Sequence, residues 1–598
     1  MKKCSRKLLC IVLALTLTFT GPMLGAQAAD AKQTATNVGV KALEVLITGL
    51  IGGINLAVPD NKNFTKVSEH TTENFYEGTT EFLSAPAEHA AWQLGYDKET
   101  LIPDDVLNGE YYLGGFMTLD NGMVNRVEEI VGGMDVRTVA LSDGSGRGIT
   151  VFANLDCIGF SNGDIKAIRA RVAEELPDVE FNSINISSTH CHSCIDTQGL
   201  WTNLLPKLLR NLFKSYLRLD MERGVKEDYV EGFLYDQVVA SIKNAVADLT
   251  QGTMTLAVKT LNPDYFNNRN RKSATALISD LTRLTFTPAD SSRKPTMLVN
   301  LAGHPDVTGL ATSDPQDNGR QLSGDFVTYM QDTIEAAGYN FMFLQGPIAG
   351  IYIGRGLTND DITEEPDRRY MQSVRYGREM GKIALYLTNT VEEIEADYQE
   401  NFPADWAKLQ ADLAQHNAKV AAGESKEENY TLWYKDWEPV QARTLDPLLN
   451  IRLAEIKLKV TNPLIQLVGK LNLANYAVCK EGLGYYIFTE IGYMELGDQH
   501  FVMTPGEIVQ DLVAGGASLT AAGSFSGKDF GKPTVYDLFG EGTVCIGLCN
   551  DAIGYVVPDN DFSMGIADDH YQELLSVSKT GASAMMQGFA DLAAEVAA

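Results

Sequence analysis

Short apolar runs of strand character alternate along this chain with longer segments of helical period, and that alternation limits the fold more than anything else in the sequence. Strand-like runs fall at 253–261, 296–303, 340–345, 449–460 and 543–548; helical patterns fall at about 226–249, 323–337, 366–394, 404–421 and 577–597. Sheets whose strands are separated by helices bury their apolar faces under those helices, which points to a layered α/β molecule. Hairpins are present as well. The runs 137–141 and 150–155 flank a turn-rich loop at 143–148, and 492–496 and 500–503 flank Gly497 and Asp498. The expected fold class is therefore mixed α/β (α+β), a large layered domain with mixed sheets and flanking helices. Asp164 reads as the N-cap of a helix over 165–176. The polar, charged stretch 397–445 reads as a helical insertion or an outer helical layer.

The amino end does not belong to this pattern. Lys2, Lys3, Arg6 and Lys7 precede an apolar core at 8–19, and Ala26, Gln27 and Ala28 form an A-x-A cleavage signal. This reads as a secretory signal peptide over 1–28, with Cys10 inside the apolar run rather than after it, so the protein is expected to be exported by a bacterium. Residues 29–99 read as an extension that carries one apolar, uncharged segment at 45–58. At 14 residues that segment falls short of the ~20 needed to span a bilayer, which leaves a buried helix or strand, or a surface-seeking segment that helps reach a lipid. The rest, 100–598, reads as one large domain with no further sandwich domain after it.

The net charge is −29, and removing the cationic leader makes it more acidic still. A chain of this balance is not held on nucleic acid by neutralising phosphates. Six cysteines remain after the leader: Cys157, Cys191, Cys194, Cys479, Cys545 and Cys549. That is too few for a disulfide scaffold; disulfides, buried thiols and a small metal site all stay open.

Histidine is scarce, eight in all, and three end strand-like runs. His190 and His192 follow an alternating segment that contains Ile184 and Ile186, and a period of two puts both imidazoles on one face. His304 follows the apolar run 297–302 and precedes Pro305. A zinc site needs such donors delivered by separate rigid elements. Glu507 ends Thr504-Pro505-Gly506-Glu507 where the second strand of a hairpin gives way to a helical pattern at 507–515. Tyr555 follows Asn550 and Gly554 after the apolar run 544–548, and Tyr571 and Gln572 lie beyond it.

Taken together and in this order, these clusters resemble the neutral/alkaline (non-lysosomal) ceramidases, as a divergent bacterial member. The family's strand-ending THTHS-like segment is matched by Thr189-His190-Cys191-His192-Ser193. Its His-Pro is matched by His304-Pro305, its Pro-Gly-Glu by Pro505-Gly506-Glu507, its Gly-Tyr by Gly554-Tyr555, and a Tyr-Glu-like pair by Tyr571-Gln572. Residues 111–115 and 155–159 look like the family's opening strands, and Ser323-Gly324-Asp325 like a Ser-x-Asp before a helix. The resemblance spans about 100–580. It implies one zinc (Zn²⁺) bound by His190, His304, Glu507 and Tyr555, with His192 contacting substrate or steadying the transition state. Tyr571 matches a substrate-side tyrosine. An arginine from an Asn-Arg-Ser segment points into the family's site; here Arg271 is the choice, with Arg269 the alternative.

The implied activity is zinc-dependent hydrolysis of a linear amide in an N-acyl sphingoid or related N-acyl lipid, giving fatty acid and amine. The implied partners are that lipid and, peripherally, a membrane. Two departures bear on substrate handling. The family's Gly-Asp-x-Ser-Pro is matched here by 345–354, with neither serine nor aspartate and with Tyr352 as the nearest hydroxyl. Its Gly-Pro-Gly-Gly after the histidines is replaced by Cys194-Ile195-Asp196-Thr197. The alternatives are a non-catalytic relative that binds lipid or glycan at a degenerate pocket, and another zinc hydrolase with an HxH strand, such as a TIM-barrel amidohydrolase.

Overall fold

A computed structural model describes residues 49, 52–62, 64–115, 125–271, 273–308, 320–354, 365–426, 433–564 and 571–597. The leader at 1–28 and the first part of the apolar segment 45–58 lie outside the described residues.

Two mixed sheets pack face to face, with helices on both outer faces. The larger has nine strands in the order Asn340–Gln345, Thr296–Leu301, Asp280–Pro288, Thr250–Thr260, Trp92–Thr100, Asp135–Ser142, Ile149–Leu155 and Phe181–Ser188, with Arg443–Leu445 also on Thr250–Thr260. Only its two outermost pairs, at opposite ends, are parallel. The smaller sheet runs Thr65–Lys66, Cys479–Glu481, Gly484–Leu496, Gln499–Met503 and Val544–Ile546, with Leu449–Lys459 on Gly484–Leu496. Period-two alternation builds the layers. In Ile149–Leu155, Val151, Ala153 and Leu155 face the helices Asn162–Glu175 and Tyr235–Ala247, while Phe152 points into the core between the sheets with Leu344, Met494 and Phe501. Each buried valine, leucine, methionine or phenylalanine among these contributes about 1.5–3 kcal/mol. Phe326–Ala336 and Glu365–Tyr386 cover the larger sheet near Val299 and Phe343, and Pro463–Lys470 and Gly581–Val596 cover the smaller one near Ile487 and Ile491.

One feature of this packing positions the site. The larger sheet curls until its end strands, Asn340–Gln345 and Phe181–Ser188, come into contact. The chain leaving Val544–Ile546 fills the seam. Gly547 N–H donates to the Gln345 carbonyl at 2.8 Å, Ser188 N–H to Leu548 at 3.1 Å, and Asn550 N–H to Ile186 at 2.8 Å. The exposed edges that an open sheet would present are thereby satisfied. Gly547 is needed because a Cβ there would lie 2.6 Å from the Gly346 carbonyl oxygen.

Several local expectations change. Helix Asn162–Glu175 starts earlier than expected: its N-cap is Ser161, whose Oγ accepts from the Asp164 N–H, and Asp164 is the first-turn carboxylate. A serine three residues ahead of an aspartate offers the better capping geometry. The helical pattern 366–394 is two helices, Glu365–Tyr386 and Val391–Asn401, because Thr390 and Glu393 form a capping box that restarts the chain. The stretch 397–445 is helical through Pro403–Ala421 but ends in the strand Arg443–Leu445. Thr65–Lys66 and Trp92–Thr100 build part of the amino-terminal extension into the two sheets. The six cysteines among the described residues are free and buried. Burial alone raises the Cys545 thiol to about 12 against a hydrogen bond with Thr504 that lowers it, so in the folded protein these six thiols are expected to resist alkylation that labels them in denaturant.

Candidate metal centre

The histidine-bearing turns leave the sheet at its closed seam. Phe181–Ser188 ends one residue before Thr189, and His190 adopts a left-handed backbone, φ +65°. The expected period-two placement of His190 and His192 on one strand face is therefore corrected: the strand has already ended, and the turn brings the imidazoles together with ring centroids 4.9 Å apart. His190 Nδ1 lies 2.7 Å from the Ile158 carbonyl, and His304 Nδ1 lies 3.0 Å from the Ile351 carbonyl. A carbonyl only accepts, so each Nδ1 carries the proton and each Nε2 faces inward.

Glu507 sits on a two-residue strand, Glu507–Ile508, paired in parallel with Tyr555–Val556, so Glu507 and Tyr555 are register partners. Glycine is required for this approach, since a Cβ on Gly506 would meet the Gly554 carbonyl oxygen at 2.5 Å. Glu507 Oε2 lies 3.3 Å from His190 Nε2 and 3.0 Å from His304 Nε2. These are not hydrogen bonds: Glu507 Oε2 and His304 Nε2 are both buried without a hydrogen-bond partner. Burial raises the Glu507 pKa; only when the two imidazoles are protonated do they outweigh it and hold the carboxyl well below the usual range. Nitrogen and carboxylate donors aimed at one buried point are what a divalent zinc-type cation requires. The ligand atoms of His190, His192 and His304 lie within 4.8 Å of one another and could also hold a metal ion.

Three phenols line one side. Tyr571 Oη lies 2.8 Å from Tyr352 Oη and 2.9 Å from Tyr555 Oη. Tyr352 stacks on His304 at 4.8 Å between centroids. Burial first, then the Glu507 carboxylate and the neighbouring phenols, raise the Tyr555 pKa well above its ordinary value. Burial likewise raises Tyr352 and Tyr571, so all three keep their protons.

The structure treats the two candidate arginines differently. Arg271 pairs with Glu573 at 2.7 Å and donates to the Asp561 carbonyl at 2.6 Å, which ties down the segment bearing Tyr571. Arg269 lies over the Tyr352 ring at 4.5 Å, nearer the histidines.

The contacts that hold the histidine turns escape a reading of the sequence, although Ser193, Ser323 and Asp325 stand in the matched segments. Gln345, where the apolar run 340–345 ends, donates through Nε2 to the Thr189 carbonyl at 2.7 Å and the Gly303 carbonyl at 3.0 Å, so one amide sets the spacing of both histidine turns. Asp325 caps Phe326–Ala336 and accepts from the Val307 and Thr308 N–H groups just beyond His304. The Ser323 carbonyl accepts from Ser193 Oγ at 2.8 Å and Cys191 Sγ at 3.1 Å. Gly115 has φ +117°, and a Cβ there would lie 2.5 Å from His192 Cγ. Gly115→Ala is expected to displace His192 and cut turnover about 100-fold while bound metal stays unchanged, since a misplacement of about 1 Å costs that much. Parallel assays of activity and metal content check it.

No family model matches the chain, and no curated protein matches it. Among solved structures it is similar to the crystal structure of neutral ceramidase from Pseudomonas aeruginosa, with a TM-score of 0.56 and 14% identity over 85% of this chain and 75% of that one. A ceramidase complexed with C2 gives 0.54 and 13% over the same shares. The fold is thus ceramidase-like, a mixed α/β fold at low sequence identity.

Proposed function

We propose that this chain is an exported zinc-dependent hydrolase of a linear amide, acting on an N-acyl sphingoid or related N-acyl lipid to release fatty acid and amine. The observation that carries the proposal is the meeting of His190 Nε2 and His304 Nε2 at Glu507 Oε2, 3.3 and 3.0 Å from it and buried, inside a ceramidase-like fold. His190, His304, Glu507 and Tyr555 would hold the ion. Bound zinc polarises a carbonyl and acidifies water.

The chain's own groups do the rest. His192, beside both ligand histidines, is kept neutral by burial and by their imidazoles, which lets it accept or return a proton at the scissile amide. Tyr571 and Tyr352, both protonated, offer donors to the oxygen that gains charge. Tyr352 stands in for the hydroxyl lost with the Gly-Asp-x-Ser-Pro segment, and Arg271 acts by fixing Tyr571. The domain reading goes with the proposal: a leader at 1–28, an extension at 29–99, and a catalytic domain at 100–598 with an insertion at 397–445. The same missing serine favours a second reading, a non-catalytic lipid or glycan binder. Metal analysis of the purified protein should find about one zinc per chain. Hydrolysis of N-acyl sphingosine should vanish with chelator, return with zinc, and be lost in His190→Ala. Stoichiometric zinc with no turnover on any N-acyl lipid supports the binder instead, and absence of metal binding sinks the zinc hydrolase.

A further inference from the structure

The helix Leu204–Leu217 is apolar on two faces. Leu204, Leu208 and Leu212 are buried in the core under the smaller sheet. The opposite face carries Leu209, Phe213 and Leu217, spaced i, i+4, i+8, and Phe213 and Leu217 are 56% and 53% exposed. A helix needs only its inward stripe apolar to fold onto a core, so the outer stripe has no structural use. The patch continues past the helix. Tyr216 Oη donates to the Ala57 carbonyl and Arg218 Nη1 to the Asp60 carbonyl, which brings Leu56, 89% exposed, alongside.

Charge on this helix runs against the rest of the molecule. Residues 204–219 contain Lys207, Arg210, Lys214 and Arg218 and no carboxylate, in a chain of net charge −29. The cations on the helix follow one another on one side of the exposed stripe. Glu222 bridges Arg210 and Lys214 at 2.7 and 2.9 Å, and Lys207 and Arg218 donate to the Gly224 and Asp60 carbonyls, so the rim keeps a reduced positive charge that rests mainly on backbone-held cations.

We propose that this face docks the protein on an anionic lipid surface, with Phe213, Leu217 and Leu56 entering the acyl boundary and the cations meeting headgroups. Leucine and phenylalanine beside lysine and arginine on a helix of 14 residues are what an interfacial helix presents. Among the described residues no helix is long and apolar enough to cross a membrane, so the contact is peripheral. A second copy of the chain is a poorer occupant, because two such faces would set the same cations against each other. The surface is argued from exposure and charge alone and stands apart from the hydrolase proposal.

The test is flotation of the purified protein with vesicles of equimolar phosphatidylcholine and phosphatidylglycerol, against vesicles of phosphatidylcholine alone. The protein is expected to float with the anionic vesicles, and less so as salt rises. Phe213→Glu with Leu217→Glu should lower the partition coefficient at least about tenfold. Both positions are exposed, so the circular dichroism spectrum and melting curve should be unchanged, as should hydrolysis of a short-chain, water-dispersed N-acyl substrate. His190→Ala should float like the unaltered protein whether or not it hydrolyses anything, which separates the two proposals. A protein that stays unbound, or a double variant that floats as well as its parent, overturns the docking surface. So does a dimer in light scattering that the double variant dissolves.

Discussion

Glu507→Gln is expected to strip the protein of zinc and of amide hydrolysis while leaving its metal-free form at least as stable as before. The two signs come from one geometry. Glu507 Oε2 lies within 3.0–3.3 Å of two Nε2 atoms whose rings have already committed their Nδ1 protons to backbone carbonyls. With a cation among them these atoms are ligands, and replacing the anion by a neutral amide should weaken binding by more than the 10–100-fold that loss of an outer supporting residue costs. Zinc at about one hundred times its Kd should stabilise the parent by about 2.7 kcal/mol and the variant by almost nothing. Without the cation, the parent holds acceptor against acceptor in a buried site. The glutamine amide offers N–H donors there, and satisfying those lone pairs should add about 1 kcal/mol. Urea unfolding above the ordinary imidazole range, with zinc and with chelator, measures both effects. A metal-free variant less stable than its parent by more than about 1 kcal/mol would mean that Glu507 is paired with protonated imidazoles and serves the fold.

Much of this centre was legible because its donors sit where elements end. His304 after an apolar run, Glu507 after a hairpin and Tyr555 after Gly554 stand out by local pattern; the structure sets His190 and His304 against Glu507 and pairs Tyr555 with Glu507 in strand register. The layered fold was legible for the same reason, since the alternation of strand and helix appears directly in the apolar spacing. What could not be read depends on distant contacts. Nothing local marks Gln345 as the amide that spaces two turns more than a hundred residues apart, because a glutamine at the end of an apolar run looks like a strand terminus. The left-handed backbone at His190 leaves no trace in composition, so a period-two rule was carried one residue too far. Arg269 and Arg271 differ only in which neighbours the fold supplies, Tyr352 for one and Glu573 for the other. The closure of the larger sheet by 547–550 is likewise a matter of tertiary geometry.

The second large effect is a loss of about 3–5 kcal/mol of stability in Glu490→Ala. Arg169 and Glu490 are fully buried and joined by two hydrogen bonds, Nη1 to Oε1 at 2.8 Å and Nη2 to Oε2 at 2.9 Å. Asn162 Nδ2 donates to the same Oε1 at 2.8 Å. Arg169 Nε donates to the Ile184 carbonyl on the edge strand Phe181–Ser188, while Glu490 belongs to Gly484–Leu496 in the other sheet. The pair therefore ties the strand that delivers His190 to the opposite layer. Removing the carboxylate leaves a guanidinium buried without its counter-charge, and that penalty, rather than the worth of the bond, sets the magnitude. Replacing both residues by methionine removes the charge as well, so the double variant should lose less than the single one, about 1–3 kcal/mol for the hydrogen bonds taken from the Ile184 and Asn74 carbonyls. Urea midpoints at unchanged slope give the comparison. If the double variant were the less stable of the two, the loss would come from the missing contacts and not from an uncompensated buried charge. In the single variant the His190 turn should exchange its amide hydrogens faster than the strand Thr296–Leu301 that leads to His304, because only the first of these two turns is held through Arg169.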